Sequence, residues 1–237
     1  MSEMMLFSNI LLPLMGGIAM LVFLRGEDRH RQIIVSSVIV ALSLIVVVFK
    51  IMIHPPPSTL CISWLASAGP MCMTFEASSL TLIFLSSLPL LLIIQTKNST
   101  IISVLEFGLL LIAFSMMQVA LVSNHFMLRY VALEFVGLSI TAAAMVLTSP
   151  NEKRWINTKQ VFINLRIGDL ALLVAIFLMF TISDSFDIKK NFSDALLGAS
   201  DIQMILSACL LTGVWVKMAI WPLNQWRIAT DSVKRST

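Results

Sequence analysis

Four ionisable side chains, Glu134, Arg166, Asp169 and Lys217, lie within long apolar runs. A charge at membrane depth costs roughly 3 kcal/mol on insertion scales, so such residues are rare and point to function. Burial favours the neutral form of an ionisable group, and a nearby opposite charge favours the ionised form. A Glu or Lys in this setting can therefore take up and release a proton as its surroundings change. Arg keeps its charge and can only transmit. The chemistry on offer is proton transfer coupled to charge rearrangement.

The spacing of these residues says how helices would present them. Glu134 shares a helical face with Gly137, Leu138, Thr141 and Met145, and small residues on that face would admit a partner helix. Lys159, Phe162, Arg166, Asp169 and Leu173 form one stripe along the next apolar run. Arg166 and Asp169 can pair within that helix, and Gly168 beside them permits tight packing. The pair either supports a relay or fixes helix packing. Lys217 follows Gly213 by one turn and is either a relay member or a side chain snorkelling to the nearer surface. Pro222 has no N–H, so the carbonyl of Met218 would lose its helical donor and the last helix should break there. A break at membrane depth is tolerated only inside protein or beside water. Arg129 and Glu106, near helix ends, read as interfacial residues.

Of the 237 residues, 58% are hydrophobic and 12% charged, against about 25% charged in soluble domains. This is the composition of an integral membrane protein. Its apolar runs are about 20 residues long and lack the alternation of barrel strands, so they should be helices. The reading is an all-α transmembrane domain over residues 1–237 with about seven spans: 4–24, 32–53, 77–95, 101–122, 126–147, 159–182 and 202–220. Pro55, Pro56 and Pro57 stop the second span, and the uncharged segment around Gly69-Pro70 suggests an interfacial hairpin before the third. A short amphipathic helix is expected between Ser183 and Asp201. The first run lacks a basic leader and a small-residue cleavage site, so it should remain as a span.

Arg25, Arg29, Arg31, Lys97, Lys153, Arg154, Arg227, Lys234 and Arg235 fall on alternate connections and the tail. That bias places the N-terminus outside and the C-terminus inside. It also accounts for the net charge of +3, which is no sign of nucleic-acid binding. Cys61 and Cys72 share a loop and are either a disulfide or two small residues, while Cys209 reads as packing. Metal-ligand spacing and haem or flavin motifs are lacking, so no metal and no cofactor is expected.

Three blocks carry a resemblance: Leu133-Glu134-Phe-Val-Gly137-Leu-Ser139; Lys159-Gln-Val-Phe162-Ile-Asn-Leu-Arg166-Ile-Gly-Asp169; and Gly213-Val-Trp-Val-Lys217-Met-Ala219-Ile-Trp-Pro222-Leu-Asn-Gln-Trp226. In this order they resemble the antiporter-like membrane subunits shared by respiratory complex I, membrane-bound hydrogenases and Mrp-type sodium/proton antiporters. Residues 71–81 also look like that family's interfacial hairpin. Among these subunits the chain looks most like the largest distal subunit of complex I and its cousins in inorganic-carbon-accumulating complexes. Two departures stand out: Leu133 replaces a Trp before the Glu, and Met218 replaces a small residue after the Lys. The likeness covers the whole chain but only about the first half of a family member.

The resemblance implies that Glu134 and Lys217 form a proton-relay pair, with Lys159, Arg166 and Asp169 as charged supports. It implies a non-redox, proton-translocating subunit, or split half-subunit, of a complex I-like NADH:quinone oxidoreductase or related ion-pumping complex. A membrane subunit of a proton-driven inorganic-carbon uptake complex and a static scaffold half-module are the alternatives. Expected partners are the bilayer and other membrane subunits, one of them supplying the C-terminal half. The expected location is an energy-transducing membrane: the bacterial inner, mitochondrial inner or thylakoid membrane.

Overall fold

The fold is that of a computed structural model, which describes residues 2–23, 29–53, 58–65, 69–96, 104–146, 152–195 and 200–218. Among them, α1 (Ser2–Phe23) and α2 (Arg29–Ile53) lead to a strand pair, β1 (Ser58–Leu65) and β2 (Gly69–Phe75). Then follow α3 (Ala77–Thr96), α4 (Val104–Val122), α5 (Phe126–Val146), α6 (Glu152–Ser183), the short α7 (Ile188–Ala195) and α8 (Ser200–Lys217). Helices dominate because hydrocarbon offers the backbone no partner, so each N–H and C=O must bond within its own segment.

The all-α membrane architecture read from sequence holds. Four described helices are long and apolar enough to cross a membrane, His30–Ile53, Leu105–Val122, Phe126–Ala143 and Phe162–Ser183. The apolar stretches of α1 and α3, Phe7–Phe23 and Ala77–Leu92, are shorter. In α8, Asp201, Gln203 and Lys217 interrupt the apolar run. The expected count of seven spans therefore exceeds the four that qualify by length and hydropathy among the described residues. α6 starts seven residues before the expected Lys159. Its 32 residues span about 48 Å at 1.5 Å each, longer than a hydrocarbon core of about 30 Å.

The chain divides into two compact units. The first comprises Met1–Cys61, Cys72–Ser123 and Phe135–Leu147. Its core is Met20, Val40, Ile94, Phe107, Leu111 and Phe114, from α1 to α4. α1 and α4 meet at two glycines: a Cβ on Gly17 would stand 2.7 Å from the carbonyl oxygen of Gly108. This is the close helix approach that Gly16-Gly17 suggested. The expected hairpin is present as β1 and β2, and a disulfide joins Cys61 to Cys72. β2 also touches the end of α4 through a bridge between Met73 and Ser123. The Ser79 hydroxyl accepts from the Glu76 N–H at 3.1 Å, closing the start of α3 in half of a capping box. Glu106, expected at an interface, is only 2% exposed inside this unit.

The second unit comprises Ile62–Met71, Asn124–Glu134 and Thr148–Thr237. Its core is Phe126, Ala175, Ile176, Met179 and Leu206, with Cys209 packed against it as expected. The amphipathic helix anticipated between Ser183 and Asp201 is α7, eight residues long. Asp184 ends α6 in the left-handed region at φ 49°, which turns the chain toward α7. The starts of α5 and α7 are tied by Phe126 N–H to Phe186 C=O and by Ile188 N–H to Asn124 C=O, both 2.9 Å. The Asp187 carboxylate then caps α7 by accepting from Lys190 N–H at 3.0 Å.

Candidate functional site

The site is built in the second unit by α5, α6 and α8. A glycine contact sets its width. A Cβ on Gly168 of α6 would lie 2.8 Å from Val216 Cβ, and a Cβ on Gly213 of α8 would lie 3.2 Å from the Gly168 carbonyl oxygen. The two backbones can touch only because both residues lack side chains. Asp169 is the residue after Gly168, and Lys217 lies one turn past Gly213. The crossing therefore places the two charges opposite each other: Lys217 Nζ stands 2.5 Å from Asp169 Oδ1. That contact is an ion pair by distance, off the direction a hydrogen bond prefers.

The chain of contacts continues toward α5. Arg166 Nη1 lies 3.9 Å from Asp169 Oδ2, one turn away on α6. The same nitrogen donates a hydrogen bond to Glu134 Oε2. The other Glu134 oxygen, Oε1, accepts from the Tyr130 hydroxyl at 2.8 Å. The Arg166 guanidinium also lies 5.0 Å over the Phe162 ring, a cation–π contact. Tyr130, Glu134, Arg166, Asp169 and Lys217 thus form one chain in which the last four alternate in charge. Asp169 is the most enclosed charge in it, its side chain 5% exposed, while Arg166 is 35% and Lys217 21% exposed.

Not every residue singled out in the sequence joins this chain. Arg166 and Asp169 stand between Glu134 and Lys217, and among the described residues no direct ion pair joins those two. Lys159 is exposed on α6, two turns before Arg166. Pro222, where a helix break was expected, lies outside the described residues. Among the described residues, a Cβ on Gly137 would meet nothing within 4 Å. Tyr130 went unassigned in the sequence. Its signal was the i, i+4 offset from Glu134 and its standing as the chain's single tyrosine. Among the described residues, no group of three or more His, Cys, Asp or Glu is placed to hold a metal ion.

Residues 123–233, which include every member of the ion chain, match the family described as NADH:quinone oxidoreductase/Mrp antiporter, TM. Over these residues, a little under half of the chain, it is similar to the antiporter-like membrane subunits. Solved structures extend the likeness of fold to nearly the whole chain. A chain of respiratory complex I from Thermus thermophilus with bound NADH is similar at a TM-score of 0.80 and 16% identity, with 95% of this chain and 46% of that chain covered. A chain of the archaeal membrane-bound sulfane sulfur reductase, a respiratory membrane complex, is similar at 0.78 and 16% identity, with 94% and 35% covered. This chain thus spans between a third and a half of the solved chains it matches. No curated protein matches its sequence.

Proposed function

We propose that this chain is a proton-translocating antiporter-like membrane subunit, or a split half-subunit, working inside a complex I-like or related ion-pumping assembly. One observation carries the reading: four charges of alternating sign run in contact from Glu134 to Lys217 on helices of the membrane domain. Glu134 and Lys217 are the members that exchange protons. Arg166 cannot, and it couples them instead.

The coupling follows from competition. Arg166 Nη1 faces two carboxylates, Glu134 and Asp169, and Asp169 faces two cations, Arg166 and Lys217. Protonation of Glu134 weakens its hold on Arg166, which then closes its 3.9 Å gap to Asp169. Asp169 shared more fully with Arg166 holds the Lys217 ammonium less, and Lys217 can release its proton. At an effective dielectric of 20, closing that gap from 3.9 Å to about 2.8 Å changes the pair energy by roughly 2 kcal/mol.

The exposure of Arg166 supports a partner chain. A guanidinium 35% exposed near the midpoint of α6 cannot face hydrocarbon cheaply. Another membrane subunit or a water-filled cavity covers it. The membrane is an energy-transducing one, with the hairpin end outside.

The test uses the purified native complex in proteoliposomes. Glu134→Gln and Lys217→Ala should each assemble normally and lose at least about tenfold in ion-coupled transport, ~1.4 kcal/mol. Normal transport in both would make the charges a static scaffold and reject the relay.

A further inference from the structure

A second polar cluster belongs to the first unit, and its argument does not rest on the relay. The buried face of α2 reads Gln32, Ser36, Val40, Ser43, Val47 and Lys50. Just past the middle of α2, the Ser43 hydroxyl donates to Asn9 Oδ1 of α1 at 2.6 Å. The same hydroxyl accepts from Gln118 Nε2 of α4 at 3.2 Å. One turn away on α4, the Ser115 hydroxyl donates to the carbonyl of Ile10 at 2.8 Å. Asn9, Ser43, Ser115 and Gln118 are all buried, Gln118 with 0% exposure. Two amides and two hydroxyls therefore meet where three apolar helices pack.

Gln118 Oε1 receives no donor among the described residues. An amide oxygen buried without a donor costs about 1–3 kcal/mol. Interiors meet such a demand with ordered water where several polar groups converge. A second acceptor belongs to Asn9, whose side chain joins the cluster. Pro13 is inside α1 and has no N–H, so the carbonyl of Asn9, four residues earlier, lacks its helical donor.

The direction of the hydrogen bonds identifies the ligand. They run from Gln118 to Ser43 to Asn9. A hydroxyl can donate either way, so the chain can also run from Asn9 to Ser43 to Gln118 once both amides turn over. Reversal would change the free atom of Gln118 from an acceptor to a donor. A cation fits only the first state and an anion only the second, whereas water fits both. We infer that Asn9, Ser43 and Gln118 bound an internal water site that completes a polar lock between α1, α2 and α4.

A double-mutant cycle on the full chain in its complex tests this. Ser43→Ala removes the partner of Gln118 Nε2. Gln118→Leu in that background then reports on the remaining amide atom. With a bound water, this second step should lower Tm by about 2–6 °C. An unchanged or higher Tm overturns the site, because deleting an orphaned acceptor relieves its desolvation. If Ser43→Ala does not fold, an experimental map decides. Water within about 3 Å of Gln118 Oε1 supports the site, and a protein donor filling that position overturns it.

Discussion

At the scale of single residues, Glu134 is held from both sides, by Tyr130 on one oxygen and by Arg166 on the other. Tyr130 also leans on the apolar core of the second unit, so its ring is fixed and its hydroxyl is aimed. In the proposed relay it is a positioning residue. Tyr130→Phe keeps the ring and removes one hydrogen bond, worth about 0.5–1.5 kcal/mol net. Transport in proteoliposomes should fall by about two- to tenfold, well short of the Glu134→Gln loss, with assembly unchanged. A loss as deep as that of Glu134→Gln would make Tyr130 a relay member. The charged residues were legible in the sequence because ionisable groups in apolar runs stand out by cost alone. Tyr130 was not, because a tyrosine in an apolar run needs no explanation until its hydroxyl has a partner. The order of contacts was also hidden, since helical spacing fixes neighbours within α6 but not which charge a second helix reaches.

At the scale of helices, residues of the same type meet different surroundings. Gly168 and Gly213 mark a crossing that brings Asp169 to Lys217, whereas Gly137, equally small and one turn from Glu134, meets nothing. Composition cannot separate a glycine at a contact from one beside open space. Mutation can. Gly168→Ala forces a methyl against Val216, and overpacking of this kind costs about 1–3 kcal/mol. Thermal unfolding should fall by about 3–10 °C, and the Asp169–Lys217 contact should loosen, with transport impaired. Gly137→Ala should leave stability and transport near wild type. Equal effects of the two changes would refute the crossing. The helices themselves were readable from apolar run length, although the start of α6 was not. Its first turn, Glu152 to Trp155, is too polar to extend a hydrophobic pattern. The strand pair was foreseen only as a hairpin, since Gly69-Pro70 marks a turn without fixing the register of the arms.

For the molecule as a whole, two independent features predict which side of the membrane each end faces. Arg25, Arg29 and Arg31 lie around the connection before α2, and Cys61 and Cys72 form their disulfide beyond its other end. Basic connections favour the inner side. Disulfides persist on the oxidising side. Because α2 is long enough to cross, the two rules place its ends on opposite sides and agree on which is which. The two rules predict a hairpin that faces outward, together with the α4–α5 connection that Met73 touches through Ser123. The prediction is tested in a Cys209→Ser background, where no free thiol remains. After mild reduction, a membrane-impermeant maleimide should label Cys61 and Cys72 in right-side-out vesicles and leave them unlabelled in sealed inverted ones. Lys153→Cys, in the basic first turn of α6, should show the reverse pattern. If Cys61 and Cys72 label only in inverted vesicles, the orientation is inverted, and with it the direction in which Glu134 and Lys217 would pass a proton.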